Sequence, residues 1–299
     1  MSVSRTDRKK KPLPTHSAGV RPILLEAAGL TLSGLLAEPA DGPPRATVVA
    51  VHGGGMLAGY FDGQAHPDLS LLTLGARLGF TVLALDRPGY GRSAQQIPAG
   101  MTLGEQSAVI SAALDAFAAH HAVGQGFLLL AHSYGGKLAL TTVADTPGLL
   151  ALDASGVGHR FSVAPTGRRL RRNLDWERNW GPLGLYPAGT FRAAEALVAP
   201  MPEREASEVD LWPEMFEELA PRVDIPLRLT FAEHEGWWVH EEQDLDHLAS
   251  RLSKAPVLRI GHQPRAGHNI SLGLAARSYH LSAFAFFEEC LQSAAETRP

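Results

Sequence analysis

The sequence predicts an α/β protein with a mostly parallel central sheet flanked by helices, and three observations carry that expectation. Residues 80–85 (FTVLAL) and 127–130 (FLLL) are apolar without alternation, as strands covered on both faces are. These runs alternate with segments of helical periodicity, and a repeated strand–helix rhythm builds a parallel sheet. A chain of 299 residues that is 45% hydrophobic and 19% charged has ordinary globular composition and enough apolar side chains for a large core.

In order along the chain, residues 1–21 read as a disordered basic tail. Arg5, Arg8, Lys9, Lys10, Lys11 and Arg21 against Asp7 make it +5, which leaves −9 for the body of a chain whose net charge is −4. No apolar stretch follows the basic residues, so neither a secretory signal nor a membrane anchor is expected. Short strand-like runs then occupy residues 23–27, 30–38 and 46–51, the last leading into His52-Gly53-Gly54-Gly55. A helix is expected at 71–78, and a longer one at 103–122, where Leu103, Ala108, Ile110, Ala113, Leu114 and Phe117 form an apolar stripe. The strand at 127–130 runs into a helix beginning near Gly136, and another apolar run follows at 149–152.

There the rhythm fails. Residues 158–220 contain RRLRR, several prolines and Trp176, Trp180 and Trp212, with no clear strand. It resumes with a strand at 226–232, a polar helix near 244–252, a strand at 257–260 and a closing helix at 275–290. The expected organisation is one α/β body, 22–157 and 221–299, interrupted by an insertion at 158–220. Cys290 is the single cysteine, so no intrachain disulfide or multi-cysteine metal site is expected, and the address read from this is cytoplasmic. Without an overall basic excess or a spanning segment, the expected partner is a small-molecule substrate rather than nucleic acid or membrane, with the chain a monomer or homodimer.

The chemistry is concentrated in Ala131-His132-Ser133-Tyr134-Gly135, a strand–turn–helix with serine at its apex. So sharp a turn needs small residues two positions before and after the apex, and Ala131 and Gly135 meet that need. It also aims the helix N-terminus at Ser133, where developing negative charge would meet free N–H groups. The bland alternative is a serine that merely caps a helix.

This segment resembles the nucleophile motif of the α/β-hydrolase family, G-x-S-x-G, with Ala131 in place of the first glycine. The resemblance covers roughly residues 22–292. It implies a serine nucleophile, an acid, then a histidine, in that chain order. His268, in Arg265-Ala-Gly-His-Asn-Ile-Ser271 after the last strand, fits the base, with Gly267 leaving it room to reach back; His262 is a rival too near the strand end. After the strand at 226–232 the family's spacing selects Glu235 as the acid, with Glu233 and Asp153 as alternatives. The oxyanion donors implied are the N–H of Tyr134 and one from the His52-Gly53-Gly54-Gly55-Met56 loop, similar to the HGGG motif of esterases and lipases: Gly54 first, Gly55 second. Asp86-Arg87-Pro88-Gly89-Tyr90-Gly91-Arg92-Ser93 resembles the family's structural turn after the next strand. The insertion stands where the family places a helical cap. Its aromatic residues suit either a pocket roof or a small core of its own, while Met56, Trp237 and Trp238 are candidate pocket residues and Arg168, Arg169, Arg171 and Arg172 either face an anionic group or are simply solvated.

No HExxH, Walker or dinucleotide-binding pattern is present, so neither a cofactor nor a metal is expected. The expectation is therefore a serine hydrolase for a small to medium apolar ester or thioester. A cofactor-free lyase with His268 as base and a non-catalytic ligand receptor are the competing readings.

Overall fold

A computed structural model describes residues 16–163 and 172–296. Lys9–Lys11 and the side chains of the Arg168–Arg172 cluster lie outside the described residues. The strands are β1 (Arg21–Ala27), β2 (Leu30–Ala37), β3 (Thr47–Val51), β4 (Thr81–Leu85), β5 (Phe127–His132), β6 (Ala151–Ser155), β7 (Leu227–His234) and β8 (Leu258–Gly267). They form one sheet in the order β1-β2-β4-β3-β5-β6-β7-β8. β1 and β2 pair antiparallel, β2 is antiparallel to β4, and every pairing from β4 to β8 is parallel. Arg21, expected in the disordered tail, already opens β1.

The apolar runs form central strands because both faces are covered. Val49, Val51, Leu83, Leu85, Leu129 and Ala131 face one cluster, which includes Leu103, Ile110 and Phe117 of α2 (Leu103–Ala118) and Leu138 of α3 (Tyr134–Asp145). Their neighbours Val48, Ala50, Val82, Ala84, Leu128 and Leu130 face the opposite cluster, with Leu71 of α1 (Leu71–Arg77) and Phe284 and Phe287 of α9 (Ala276–Glu296). The period of two along each strand divides the side chains between the layers. Thr102 starts α2 with a reciprocal capping box to Glu105, which satisfies backbone N–H groups that the first turn leaves without intrahelical partners.

Among the described residues four α-helices lie between β6 and β7, in the segment expected as an insertion: α4 (Arg172–Trp180), α5 (Thr190–Ala194), α6 (Glu203–Glu208) and α7 (Trp212–Leu219); α8 (Glu242–Arg251) follows β7. The final strand is longer than residues 257–260. It lies at the sheet edge, where many of its residues are exposed, so its apolar signal stops at Ile260 although its pairing with β7 continues to Gly267. Among the described residues no helix is long and apolar enough to cross a membrane.

α3 is buried along nearly its whole length, and this includes Lys137. Its ammonium lies 5.0–5.5 Å from the ring centroids of Phe161, Trp238, Trp212 and Tyr134. Burial lowers its pKa from 10.5 to about 7, against the opposing pull of Glu205, Asp210 and Glu208. The folded protein therefore releases a proton that the unfolded chain keeps between about pH 7 and 10.5, so this lysine costs roughly 1.4 kcal/mol per unit of lowering, a cost relieved as pH rises through that window. Lys137→Met, similar in length and uncharged, is expected to raise the melting temperature at pH 7, with the gain shrinking towards pH 10.5 in a series of thermal melts.

Candidate active site

The site lies at the carboxyl ends of the parallel strands, where loops from neighbouring strands converge. β5 ends at His132, and the chain reverses at Ser133 with φ 54° and ψ −120° before entering α3 at Tyr134. This backbone is strained for any residue but glycine. Gly135 makes the turn sterically possible: a Cβ there would stand 2.3 Å from the Val51 carbonyl oxygen and 2.5 Å from that of His52. The Ser133 N–H donates to the Ser155 carbonyl at the end of β6 (2.8 Å), which ties the reversal to the adjacent strand.

The Ser133 side chain does not cap α3. Its hydroxyl lies 3.0 Å from His268 Nε2, which serves as the acceptor when Nδ1 carries the proton. His268 Nδ1–H donates to Glu235, at 2.7 Å from Oε2 and 3.0 Å from Oε1. Ser133 is half-buried, whereas His268 and Glu235 are 3% and 8% exposed. Glu235 Oε1 also accepts the Trp237 N–H at 2.9 Å, which holds the carboxylate towards the imidazole. The arrangement gives Ser133 a proton acceptor and fixes the tautomer of that acceptor.

A register irregularity where β7 pairs with β8 lies just before Glu235 and His268. Ala232 pairs with Gln263, but His234 pairs with Gly267, so β8 carries extra residues and Arg265 adopts φ 54°. Such bulges re-aim the side chains that follow them. Glu233 lies within this irregularity, exposed, and accepts the Arg265 N–H at 2.6 Å; it is not part of the Ser133–His268 chain. Asp153 is fully buried elsewhere, 2.7 Å from Arg228 Nη1 and accepting the Tyr279 hydroxyl at 2.8 Å. His262 stands exposed within β8, its Nε2 2.9 Å from Nδ1 of His240.

Room for His268 is provided by a different glycine from the one expected. A Cβ on Gly156, at φ 60°, would lie 2.7 Å from His268 Cε1 and 2.9 Å from Nδ1. Gly267 is instead confined by the insertion: its Cβ would meet the Trp180 carbonyl oxygen at 2.2 Å and Tyr186 Oη at 2.5 Å. His132 packs its ring 4.8 Å from that of His268 and stacks on Tyr60 at 4.7 Å; burial and the neighbouring His268 lower its pKa well below the ordinary value.

The glycine loop after β3 passes close to Ser133, a Cβ on Gly53 falling 3.1 Å from Ser133 Cβ. Among the described residues, no protein acceptor takes the N–H of Gly54 or of Tyr134. Gly55 differs from expectation, because its N–H donates to Tyr90 Oη at 3.0 Å and is already engaged. His52 donates from Nδ1 to the Gly53 carbonyl (2.8 Å) and accepts the Arg87 N–H at Nε2 (3.0 Å), consistent with burial and Arg87 holding its pKa well below the ordinary value. Met56 forms an isolated bridge with Val198 of the insertion.

Trp237 is half-buried, 6.5 Å ring to ring from His268, and donates through Nε1 to Asn179 Oδ1 of α4 (2.9 Å). Trp238, expected in a pocket wall, is 3% exposed, donates to the Gly156 carbonyl at 2.7 Å and stacks on Phe161 at 4.3 Å, so it belongs to the packing around residues 156–161. Cys290 is half-buried on α9, and burial pushes its thiol up to about 11, which disfavours the thiolate. No group of three or more His, Cys, Asp or Glu among the described residues could hold a metal ion.

Residues 48–278 match the Alpha/beta hydrolase family. The chain belongs to that family. Its fold is similar to a highly thermostable carboxyl esterase from Bacillus coagulans, with 15% identity, TM-score 0.65 and coverage of 92% of this chain and 100% of the other. An epoxide hydrolase from Vigna radiata gives 15% identity, TM-score 0.65 and coverage of 91% and 98%. A bacterial membrane phospholipase A, described as a virulence factor, gives 16%, 0.64, and coverage of 91% and 87%. No curated protein matches the chain by sequence.

Arg87 and Tyr90, expected as part of a structural turn, and Glu205, not expected near the site, form hydrogen bonds behind the glycine loop. Arg87 and Tyr90 belong to the turn motif after β4, whereas Glu205 had no local signal. The close fit of Gly156 against the imidazole gives a direct test. Gly156→Ala is expected to lower kcat about 100-fold through displacement of His268, with the fold retained by circular dichroism.

Proposed function

We propose that the protein is a serine hydrolase that cleaves a small to medium, mostly apolar carboxylic ester or thioester through an acyl-enzyme on Ser133. The observation that carries the reading is the continuous hydrogen-bonded chain from Ser133 Oγ through His268 to Glu235, at 3.0 and 2.7 Å, on a strained turn that frees the hydroxyl from capping.

In this mechanism Ser133 Oγ bonds to the substrate carbonyl carbon while its proton passes to His268 Nε2. Glu235 remains a carboxylate, holding Nδ1–H and stabilising the imidazolium. The N–H groups of Gly54 and Tyr134 receive the oxyanion, aided by the N-terminus of α3. Collapse breaks the bond to the leaving oxygen or sulfur, which takes the proton from His268. Water, deprotonated by the same imidazole, then attacks the acyl carbon; the bond to Ser133 Oγ breaks, Oγ takes the proton back from His268 Nε2, and the carboxylic acid leaves.

The apolar preference rests on the surroundings. Trp237, Met56 and Met201 border the site loops, with Met201 so close to Gly54 that a Cβ there would lie 2.3 Å from its methyl carbon. A serine at the apex supports acyl chemistry over the carboxylate nucleophile of epoxide hydrolases, and the folds of a carboxyl esterase and a phospholipase A are among those similar to this one.

Incubation with p-nitrophenyl acetate and a fluorophosphonate probe tests the reading. Turnover and labelling of Ser133 are expected, and Ser133→Ala should lose roughly 10⁵- to 10⁶-fold in kcat; absence of both turnover and labelling in the wild type would sink the idea. The acid is tested separately: Glu235→Gln should lower kcat by about 10³- to 10⁴-fold, while Glu233→Gln should stay near wild type.

A further inference from the structure

The loop that would hold the oxyanion is braced by a polar network that reaches into the insertion. Arg87 and Glu205 are both fully buried and form a two-pronged ion pair, Nη1 to Oε2 at 2.7 Å and Nη2 to Oε1 at 2.9 Å. The same guanidinium donates from Nε to the His52 carbonyl (2.8 Å), from Nη2 to the Gly53 carbonyl (3.3 Å) and from Nη1 to Gln106 Oε1 (2.9 Å). The Tyr90 hydroxyl donates to Glu205 Oε1 at 2.7 Å and accepts the Gly55 N–H at 3.0 Å. Thus the carbonyls of His52 and Gly53, and the N–H of Gly55, are held by groups that converge on one carboxylate.

That carboxylate does not belong to the sheet. Glu205 lies on α6, just after a segment pressed onto the same loops: Ala199 N–H donates to the Gly55 carbonyl at 2.9 Å, and Pro202 packs on Gly89 and Gly100. Three glycines in succession make the loop soft, so its conformation needs external support. A buried ion pair is a costly means of stabilising a fold, since desolvation offsets much of its attraction, but its directional bonds fix geometry strongly.

We propose that Glu205 is a positioning residue for catalysis: from the insertion it holds the backbone of residues 52–55, through Arg87 and Tyr90, in the conformation that presents the Gly54 N–H to the oxyanion. The inference rests on the hydrolase reading above. Seating of the insertion and completion of the oxyanion site are then one event, because the loop is correctly shaped only when α6 is in place. Glu205 itself does not touch the reacting atoms.

The experiment compares wild type, Glu205→Gln and Tyr90→Phe. The first substitution keeps size and one acceptor oxygen but removes the charge; the second deletes a single hydroxyl and decides the matter if Glu205→Gln fails to fold. In folded variants with p-nitrophenyl acetate, kcat should fall about 10- to 100-fold with little change in KM, because the oxyanion contact acts in the transition state. Amide hydrogen exchange across residues 52–56 should become faster in Glu205→Gln. Unchanged kcat in folded variants, or a rise in KM alone, overturns the inference, and so does unchanged exchange in Glu205→Gln. A wild type with neither turnover nor Ser133 labelling would remove the hydrolase reading alone, and the exchange measurement would still decide whether Glu205 holds the loop.

Discussion

The reversal of the chain at Ser133 is held against its own backbone strain by the parallel sheet around it. Position 133 pays for a left-handed conformation, and the neighbouring strands over-determine it: Ser155 takes its N–H, and Gly135 allows α3 to press directly onto the carbonyls that end β3. The reward is positional. The hydroxyl stands clear of α3, at the end of β5, with β3 beside it on one side and β6, β7 and β8 following in order on the other, so the loops that leave β3, β7 and β8 converge on it from both sides.

Close approach is the second theme of the site. Gly53 lies against Ser133, Gly156 against the His268 ring, and Gly267 against Trp180 and Tyr186 of the insertion. In each case a side chain would displace a functional group or the segment covering it. The polar groups nearby are correspondingly well partnered: His52, Arg87, Tyr90 and Glu205 form one buried network, and a network of this kind specifies a geometry as long as every member is satisfied.

The aromatic residues of the insertion serve two neighbourhoods. Trp180, Tyr186 and Phe191 pack on each other with centroids 5.0–5.7 Å apart and join the cluster on the α1 and α9 side of the sheet. Trp212 and Phe216 join the cluster on the α2 and α3 side, and the Trp212 indole donates to the Gly158 carbonyl at 2.7 Å. Both groups attach the segment between β6 and β7 to the body, and α4 adds a direct link through Asn179 to Trp237, two residues after Glu235.

Much of this was legible in local patterns. The unalternating runs in β4 and β5, the small residues flanking Ser133 and the glycines after β3 are short-range requirements of buried strands, a sharp turn and close backbone approach, and they imprint directly on composition. Elements shaped by distant parts of the chain leave weaker local patterns. The apolar run of β8 ends at residue 260 although the strand continues to Gly267, because an edge strand need not be apolar on both faces, and it is Gly156 rather than Gly267 that leaves room for His268, because two segments apart in the chain touch only in the fold. Glu205 was invisible for the same reason: a glutamate on a short helix looks solvated until Arg87 and Tyr90 close around it. Sequence by itself determined the layers of the sheet and the sharp turn that places Ser133 at its apex, through local sterics and the burial of apolar runs; the tertiary structure alone decided which carboxylate meets His268, which loop N–H is already taken and which residues between β6 and β7 contact the network around the glycine loop, because each depends on groups far apart in the chain arriving within hydrogen-bonding distance.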